Sequence, residues 1–70
     1  MVLCDAIINK KLKIIKVNKH VLNLARLGIS SGAICTILKK NKDFIIVFPE
    51  YRNAVALDCF VASGVEIDYL

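Results

Sequence analysis

Two glycines set between apolar segments constrain this chain more than any other feature. Gly28 and Gly32 separate an apolar stretch ending at Leu27 from the apolar run 33–38, in a chain of 70 residues with only three glycines. Gly28 comes just after a predicted helix, where a left-handed backbone is easy only for glycine or asparagine. Gly32 is placed to close a tight turn. The chain is therefore predicted to run from a helix, through a glycine stop and a turn, into a strand.

The helix before this stop is predicted to be short and amphipathic. Val21, Leu24 and Leu27 recur at a spacing of three, which is typical of one apolar face of a helix of about two turns. Asn18 is the predicted N-cap, because its side chain can accept hydrogen bonds from the first free amides of a helix. Ile29 stands where a Schellman cap places an apolar contact, against Leu24.

Five segments show the β-branched runs or the alternation that are typical of short strands. They are residues 12–17, 33–38, 44–48, 54–57 and 65–70. The first alternates imperfectly, and either a bulge near Ile14 and Ile15 restores its pattern or both of its faces are partly covered. Pro49 is expected to end the pairing of the third strand, because proline has no amide donor. Asp58 is predicted to cap a helical turn over residues 59–62.

This order of elements favours a mainly β fold. Five short strands, with one short helix after the first, indicate a small, partly open β-barrel. A four-stranded sheet with two packed helices is the alternative, which the shortness of the helical segments disfavours. Seventy residues make one domain, 1–70, and a domain of this size buries only about 60% of the surface that its unfolded chain exposes.

The apolar content is too high for so small a barrel to bury completely. Apolar residues make up 57% of the chain, and contiguous exposed apolar residues usually mark an interface, although single ones are normal. In the second strand, Thr36 marks its face as the outer one, so Cys35 and Ile37 are predicted to point inward. Ile34 and Leu38 are then the exposed apolar candidates for binding a partner protein or a second copy of the chain.

Charge and cysteine content narrow the function classes. The net charge is +4, and eight of the ten basic residues lie in the clusters 10–19 and 39–42. Such clusters attract nucleic acid, anionic lipid or acidic proteins, so a basic nucleic-acid-binding barrel is one alternative, although the aromatic residues lie outside the clusters.

The longest apolar run, 44–49, is far short of the roughly 20 residues of a membrane span. Three widely spaced cysteines and no signal-peptide pattern lead us to expect a cytoplasmic protein with reduced thiols.

The segment Arg26-Leu27-Gly28-Ile29, followed by Gly32 and the strand bearing Cys35 and Ile37, resembles the signature of the FeoA family. The resemblance extends from about Leu12 to Tyr69, because the later strands and the helical turn come in the family's order. It implies an SH3-like β-barrel that assists ferrous iron uptake on the cytoplasmic side, together with the membrane GTPase permease. The same fold also resembles the C-terminal domain of iron-dependent transcriptional repressors.

Three departures from the FeoA pattern are visible in the sequence. Ser31 stands where the family usually has proline before the second glycine. Lys10 and Lys11 replace a glycine or Pro-Gly before the first strand, and residues 49–53 form a longer turn than is usual. These departures leave the implied fold intact and leave open whether the protein is a diverged paralogue.

Residues that carry chemistry are sparse. No serine or cysteine has a base at a motif spacing, and the glycines do not form a phosphate-binding loop, so no enzyme activity is predicted. Ferrous iron accepts imidazole, carboxylate and thiolate ligands. The metal candidates are Cys4, Asp58, Cys59 and His20, of which the first three belong to the adjacent pairs Cys4–Asp5 and Asp58–Cys59. Direct Fe²⁺ binding is therefore a further alternative, and it requires these two pairs to meet.

Overall fold

The computed structural model describes residues 1–70 and contains one antiparallel sheet of five strands in the order β4-β3-β2-β1-β5. The strands are β1 (Lys11–Val17), β2 (Ile34–Lys40), β3 (Phe44–Pro49), β4 (Val55–Asp58) and β5 (Val65–Tyr69). Helix α1 (Val21–Arg26) joins β1 to β2, and α2 (Cys59–Ala62) joins β4 to β5. The five predicted strands and the short helix after the first are confirmed, and the fold is a small, partly open SH3-like barrel.

The core is formed by one face of this sheet. Fourteen apolar side chains are buried together, and every strand contributes to them, with alternate residues of β1, β2, β3 and β5 and with Leu57 of β4. The predicted inward direction of Cys35 and Ile37 is confirmed, since both are almost completely buried. The alternation of apolar and acidic residues in 65–69 matches the structure of β5, where Val65 and Ile67 are buried while Glu66 and Asp68 are exposed.

Two bulges bend the sheet. The β1–β5 register shifts between Ile14 and Lys16, which confirms the predicted bulge and leaves the intervening Ile15 47% exposed. A second shift, between Ile37 and Lys39 in the β2–β3 pair, was not predicted, and it places Leu38 as the extra residue. A bulge increases local twist and bends the strand that carries it, so these two positions curve the sheet toward a barrel.

The N-terminal segment completes the core, which the sequence patterns did not indicate. A 3₁₀ helix spans Leu3–Asp5, and both Leu3 and Ala6 are fully buried. The carbonyl of Met1 accepts a hydrogen bond of 2.8 Å from the amide of Ile67. The segment therefore covers part of the outer edge of β5.

The predicted N-cap is wrong. Helix α1 begins after His20, which adopts a left-handed conformation (φ 56°) and makes no side-chain cap. Asn18 instead donates through its side-chain amide to the carbonyl of Gly64 at 3.1 Å and to the carboxylate of Glu66 at 2.9 Å. Its side chain thus ties β1 to the start of β5, and is not available to the helix amides. Of the predicted apolar helix face, only Leu24 is buried.

Pro49 does not end the pairing of β3 in the way predicted. It is the last residue of the strand, is buried, and lies opposite Cys35. The amide of the next residue, Glu50, donates to the carbonyl of Ile34 at 2.9 Å. Because hydrogen-bonded and non-hydrogen-bonded pairs alternate in an antiparallel ladder, the Cys35–Pro49 pair needs no amide from proline.

Candidate interaction surface

The first glycine closes helix α1 with a complete Schellman motif. The amide of Ile29 donates to the carbonyl of Leu24 at 2.9 Å, and the amide of Gly28 donates to that of Ala25 at 3.0 Å. Gly28 has φ +89°, a conformation that side-chain-bearing residues rarely adopt. Leu24 and Ile29 are both buried, as the motif's apolar contact requires. The predicted glycine stop is therefore confirmed.

The β3–β4 loop packs directly on this helix end. A Cβ at Gly28 would lie 2.9 Å from Cγ of Arg52 and 3.3 Å from Cβ of Pro49. The guanidinium of Arg52 donates to the carbonyl of Arg26, at the end of α1, over 2.6 Å. Arg52 therefore satisfies one of the free carbonyls that every helix leaves at its C-terminus. Sequence reasoning missed this contact, because the two partners are 26 residues apart.

The second glycine forms a turn anchored to β1. The amide of Ala33 donates to the carbonyl of Ser30 at 3.0 Å, and Gly32 at the third position has φ +91°, which is a type II turn. The amide of Gly32 donates to the carbonyl of Ile14 at 2.7 Å. The hydroxyl of Ser31 donates to the carbonyl of Ile15 at 2.6 Å. Ser31 occupies the turn position that favours proline, and its hydroxyl fastens the turn to the β1 bulge instead.

The two predicted partner-binding residues lie on the outer face of the sheet. Ile34 is half-buried and Leu38 is 45% exposed. Strand β3 adds Phe48, which lies opposite Thr36, and Ile46, which lies opposite Lys39 beside the β2 bulge. We call these residues the outer-face patch; it consists of Ile34, Thr36, Leu38, Ile46 and Phe48. The β3 members were missed because residues 44–48 are apolar on both faces, so their pattern gives no direction.

Lysines adjoin the patch on two sides. Lys11 and Lys13 of β1 lie opposite Thr36 and Ile34 in the sheet register. At the end of the patch, Lys39 follows Leu38 on β2 and faces Ile46 of β3. All three lysines are exposed. The patch therefore combines an apolar centre with positive charge along its margins.

The structure brings two of the four metal candidates near each other, since the pKa of Cys4 is raised by burial and, to a smaller extent, by the charges of Asp5 and Cys59, but the four do not assemble into one site. His20 is exposed at the start of α1, and Asp58 caps α2 by accepting a hydrogen bond of 2.6 Å from the amide of Phe60. The thiol of Cys59 donates to the carbonyl of Asn41 over 3.6 Å. No three histidine, cysteine, aspartate or glutamate side chains are grouped so that they could hold a metal ion. The predicted cap of α2 by Asp58 is confirmed.

Burial raises the pKa of two of the three cysteines and keeps them in the thiol form. It raises the pKa of Cys35 to about 11, with a smaller contribution from the negative charge of Glu50. The pKa of Cys4 is also raised, mainly by burial, and further by the charges of Asp5 and Cys59. A thiol with a raised pKa is a poor nucleophile at neutral pH, so neither group is activated for chemistry.

A solved structure shares this architecture over the whole chain. The NMR structure of an FeoA-like protein from Clostridium acetobutylicum matches with a TM-score of 0.82, covering 100% of this chain and 86% of that one, at 20% sequence identity. The fold is that of an FeoA-like protein. The resemblance inferred from Gly28 and Gly32 is thus confirmed for the fold. Neither the family models nor the curated protein sequences that were compared with the chain match it. This FeoA-like fold contains no helix long and apolar enough to cross a membrane.

Proposed function

We propose that this protein is an accessory or regulatory component of ferrous iron transport. It acts on the cytoplasmic side, by binding the cytoplasmic domain of the membrane GTPase permease that imports Fe²⁺. The observation that carries the proposal is the likeness in fold to an FeoA-like protein over the full length of the chain. The signature residues agree with it, since Gly28 and Gly32 adopt the positive φ angles that their places in the motif require.

The distribution of chemistry supports a binding role over a reaction. The side chains with raised pKa values are thiols packed against the core. Large apolar side chains, in contrast, reach the surface at several places, with Leu38 45% and Phe48 42% exposed on the same sheet face. A rigid sheet that presents apolar side chains beside charged ones has the composition of a protein–protein contact surface.

Binding of a purified GTPase domain tests this proposal. Isothermal titration calorimetry should give a saturable interaction with the wild-type protein, and Leu38→Asp should weaken it by about tenfold or more, since a carboxylate in an apolar contact is costly. Ile34→Asp should act in the same direction. Leu22→Asp is the matched control, because Leu22 is 76% exposed on α1, away from the sheet.

The fold of each variant is checked by circular dichroism before binding is measured. Absence of any interaction between the wild-type protein and the GTPase domain, with and without bound guanine nucleotide, contradicts the proposed function. Unchanged binding by a folded Leu38→Asp variant contradicts the assignment of the outer-face patch as the contact face, while the GTPase domain remains the proposed partner.

A further inference from the structure

We propose that the outer-face patch is a docking surface for an amphipathic helix of a partner protein, with acidic residues on the side of the helix's apolar stripe that lies over β1. The partner's identity rests on the proposed function, whereas the chemistry of the partner helix rests on the residues of the patch. The partner helix must therefore present an apolar stripe with acidic residues beside it.

The patch has the width of a helix. One row of the sheet runs from Lys11 through Thr36 to Phe48, across three neighbouring strands. Neighbouring strands lie about 4.8 Å apart, so the row spans roughly 10 Å between its outer strands, close to the diameter of an α-helix with its side chains. A helix lying along β2 would set its apolar stripe over Leu38 and Phe48, and its flank over β1 would reach Lys11 and Lys13.

The positive charge of the lysines beside the patch indicates which residues the partner helix carries next to its apolar stripe. Lys11 and Lys13 line the β1 side, and Lys39 follows Leu38 on β2, at one end of the patch. The carboxylates near this face are peripheral: Glu50 and Asp58 lie at opposite ends of β3, and Asp68 lies opposite Lys13 on the far side of β1. A partner helix with glutamate or aspartate beside its apolar stripe pairs with the lysines. A second copy of the chain docking by the same face would bring no carboxylate of its own patch to these lysines, since the patch contains none.

The relief and composition of the patch favour a protein helix over a membrane or RNA. Ile34 and Ile46 are half-buried, so they expose less apolar surface than lipid-inserting side chains do, and Leu38 and Phe48 are the exposed members. Phe48 is the only aromatic residue of the patch. Sheets that bind single-stranded nucleic acid stack several bases on several aromatic rings, whereas an apolar helix stripe is complemented by aliphatic side chains.

The test is an NMR titration of the ¹⁵N-labelled full chain with synthetic helical peptides. One peptide of about 15 residues carries leucines at helical i, i+3, i+4 and i+7 spacing with glutamates along one flank, and a matched peptide carries lysines in place of the glutamates. We expect shifts confined to residues 11–13, 34–39 and 46–48 with the acidic peptide. Phe48→Asp should weaken this binding by about tenfold or more, and Leu22→Asp should leave it unchanged.

Binding should also weaken as salt is raised from 50 to 300 mM, because exposed charge pairs are screened. Equal binding of the lysine peptide, shifts outside the patch, or binding to anionic phospholipid vesicles or an oligouridylate in place of the acidic peptide would overturn the inference. GTPase-domain binding that survives Phe48→Asp overturns it too, while sparing the proposed function. Acidic-peptide binding at the patch, with no binding of the GTPase domain, supports the inference and contradicts the proposed partner.

Discussion

Substituting Gly28 by alanine tests how the glycine signature shapes the fold. Gly28 and Gly32 have nearly equal φ angles, +89° and +91°, so alanine should carry a similar backbone cost at both, roughly 1–2 kcal/mol. Their surroundings differ. A Cβ at Gly32 meets nothing within 4 Å, whereas at Gly28 it lies 2.9 Å from Cγ of Arg52 and 3.3 Å from Cβ of Pro49.

The added cost at Gly28 follows from these contacts. Pro49 is buried and has little room to move. Arg52 can move, but its guanidinium then loses the hydrogen bond to the carbonyl of Arg26, which contributes about 0.5–1.5 kcal/mol. We therefore expect Gly28→Ala to cost about 2–4 kcal/mol, a large share of the roughly 4–10 kcal/mol available to a domain of this length.

Thermal and urea unfolding followed by circular dichroism measure the difference. Since 1 kcal/mol shifts Tm by about 4–8 °C in a domain of this size, Gly28→Ala should melt at least about 5 °C below Gly32→Ala. In an Arg52→Ala background the penalty of Gly28→Ala should shrink, because the closest contact is gone. Equal destabilisation by the two glycine substitutions, or no coupling to Arg52, refutes this reasoning.

Three further predictions concern stability. Asp58→Ala should cost about 1 kcal/mol by removing the α2 cap, while Asp58→Asn keeps most of it; urea midpoints that rank the two equally would contradict the cap. Asn18→Asp should destabilise the protein more than Asn18→Ala, because it places a second carboxylate beside that of Glu66, which now accepts a hydrogen bond of 2.9 Å from the Asn18 amide. Chemical unfolding at low and high salt measures the two free energies of unfolding. A more stable Asn18→Asp variant would contradict the repulsion. Burial raises the pKa of Cys35 from 9.0 to about 11, so the unfolded chain loses this thiol proton first and stability falls as pH rises from about 9 to 11. The Tm difference between pH 8 and pH 10.5 should therefore be larger for the wild type than for Cys35→Ala, and an equal difference would exclude this cause.

The local elements could be predicted where backbone and side-chain rules act over a few residues. The Schellman stop at Gly28 and the alternation of β5 depend on neighbours within one turn or one pleat, so the sequence suffices for both. Asn18 shows the limit of such rules. It has the chemistry of an N-cap, but Gly64 and Glu66 lie close enough in space to take its side-chain amide.

The surface was harder to predict than the core elements. Thr36 indicated the outer face of β2, and hence Ile34 and Leu38. Strand β3 carries apolar residues on both faces, so the sequence does not show which face Phe48 is on. The β2–β3 register places it opposite Thr36, on the outer face. The β2 bulge that exposes Leu38 also depends on pairing between strands, which no local pattern specifies.

The proposed partner and the absence of an iron site can be tested together by measuring amide shifts of the ¹⁵N-labelled protein under anaerobic, reducing conditions, with a ferrous-transporter GTPase domain added to one sample and Fe²⁺ to another. The account predicts shifts along residues 34–39 and 46–48 with the GTPase domain. It predicts no saturable shifts at Cys4, His20, Asp58 or Cys59 with Fe²⁺. Saturable iron-dependent shifts at those four residues, with no response to the GTPase domain, would contradict it and indicate a protein that binds iron directly.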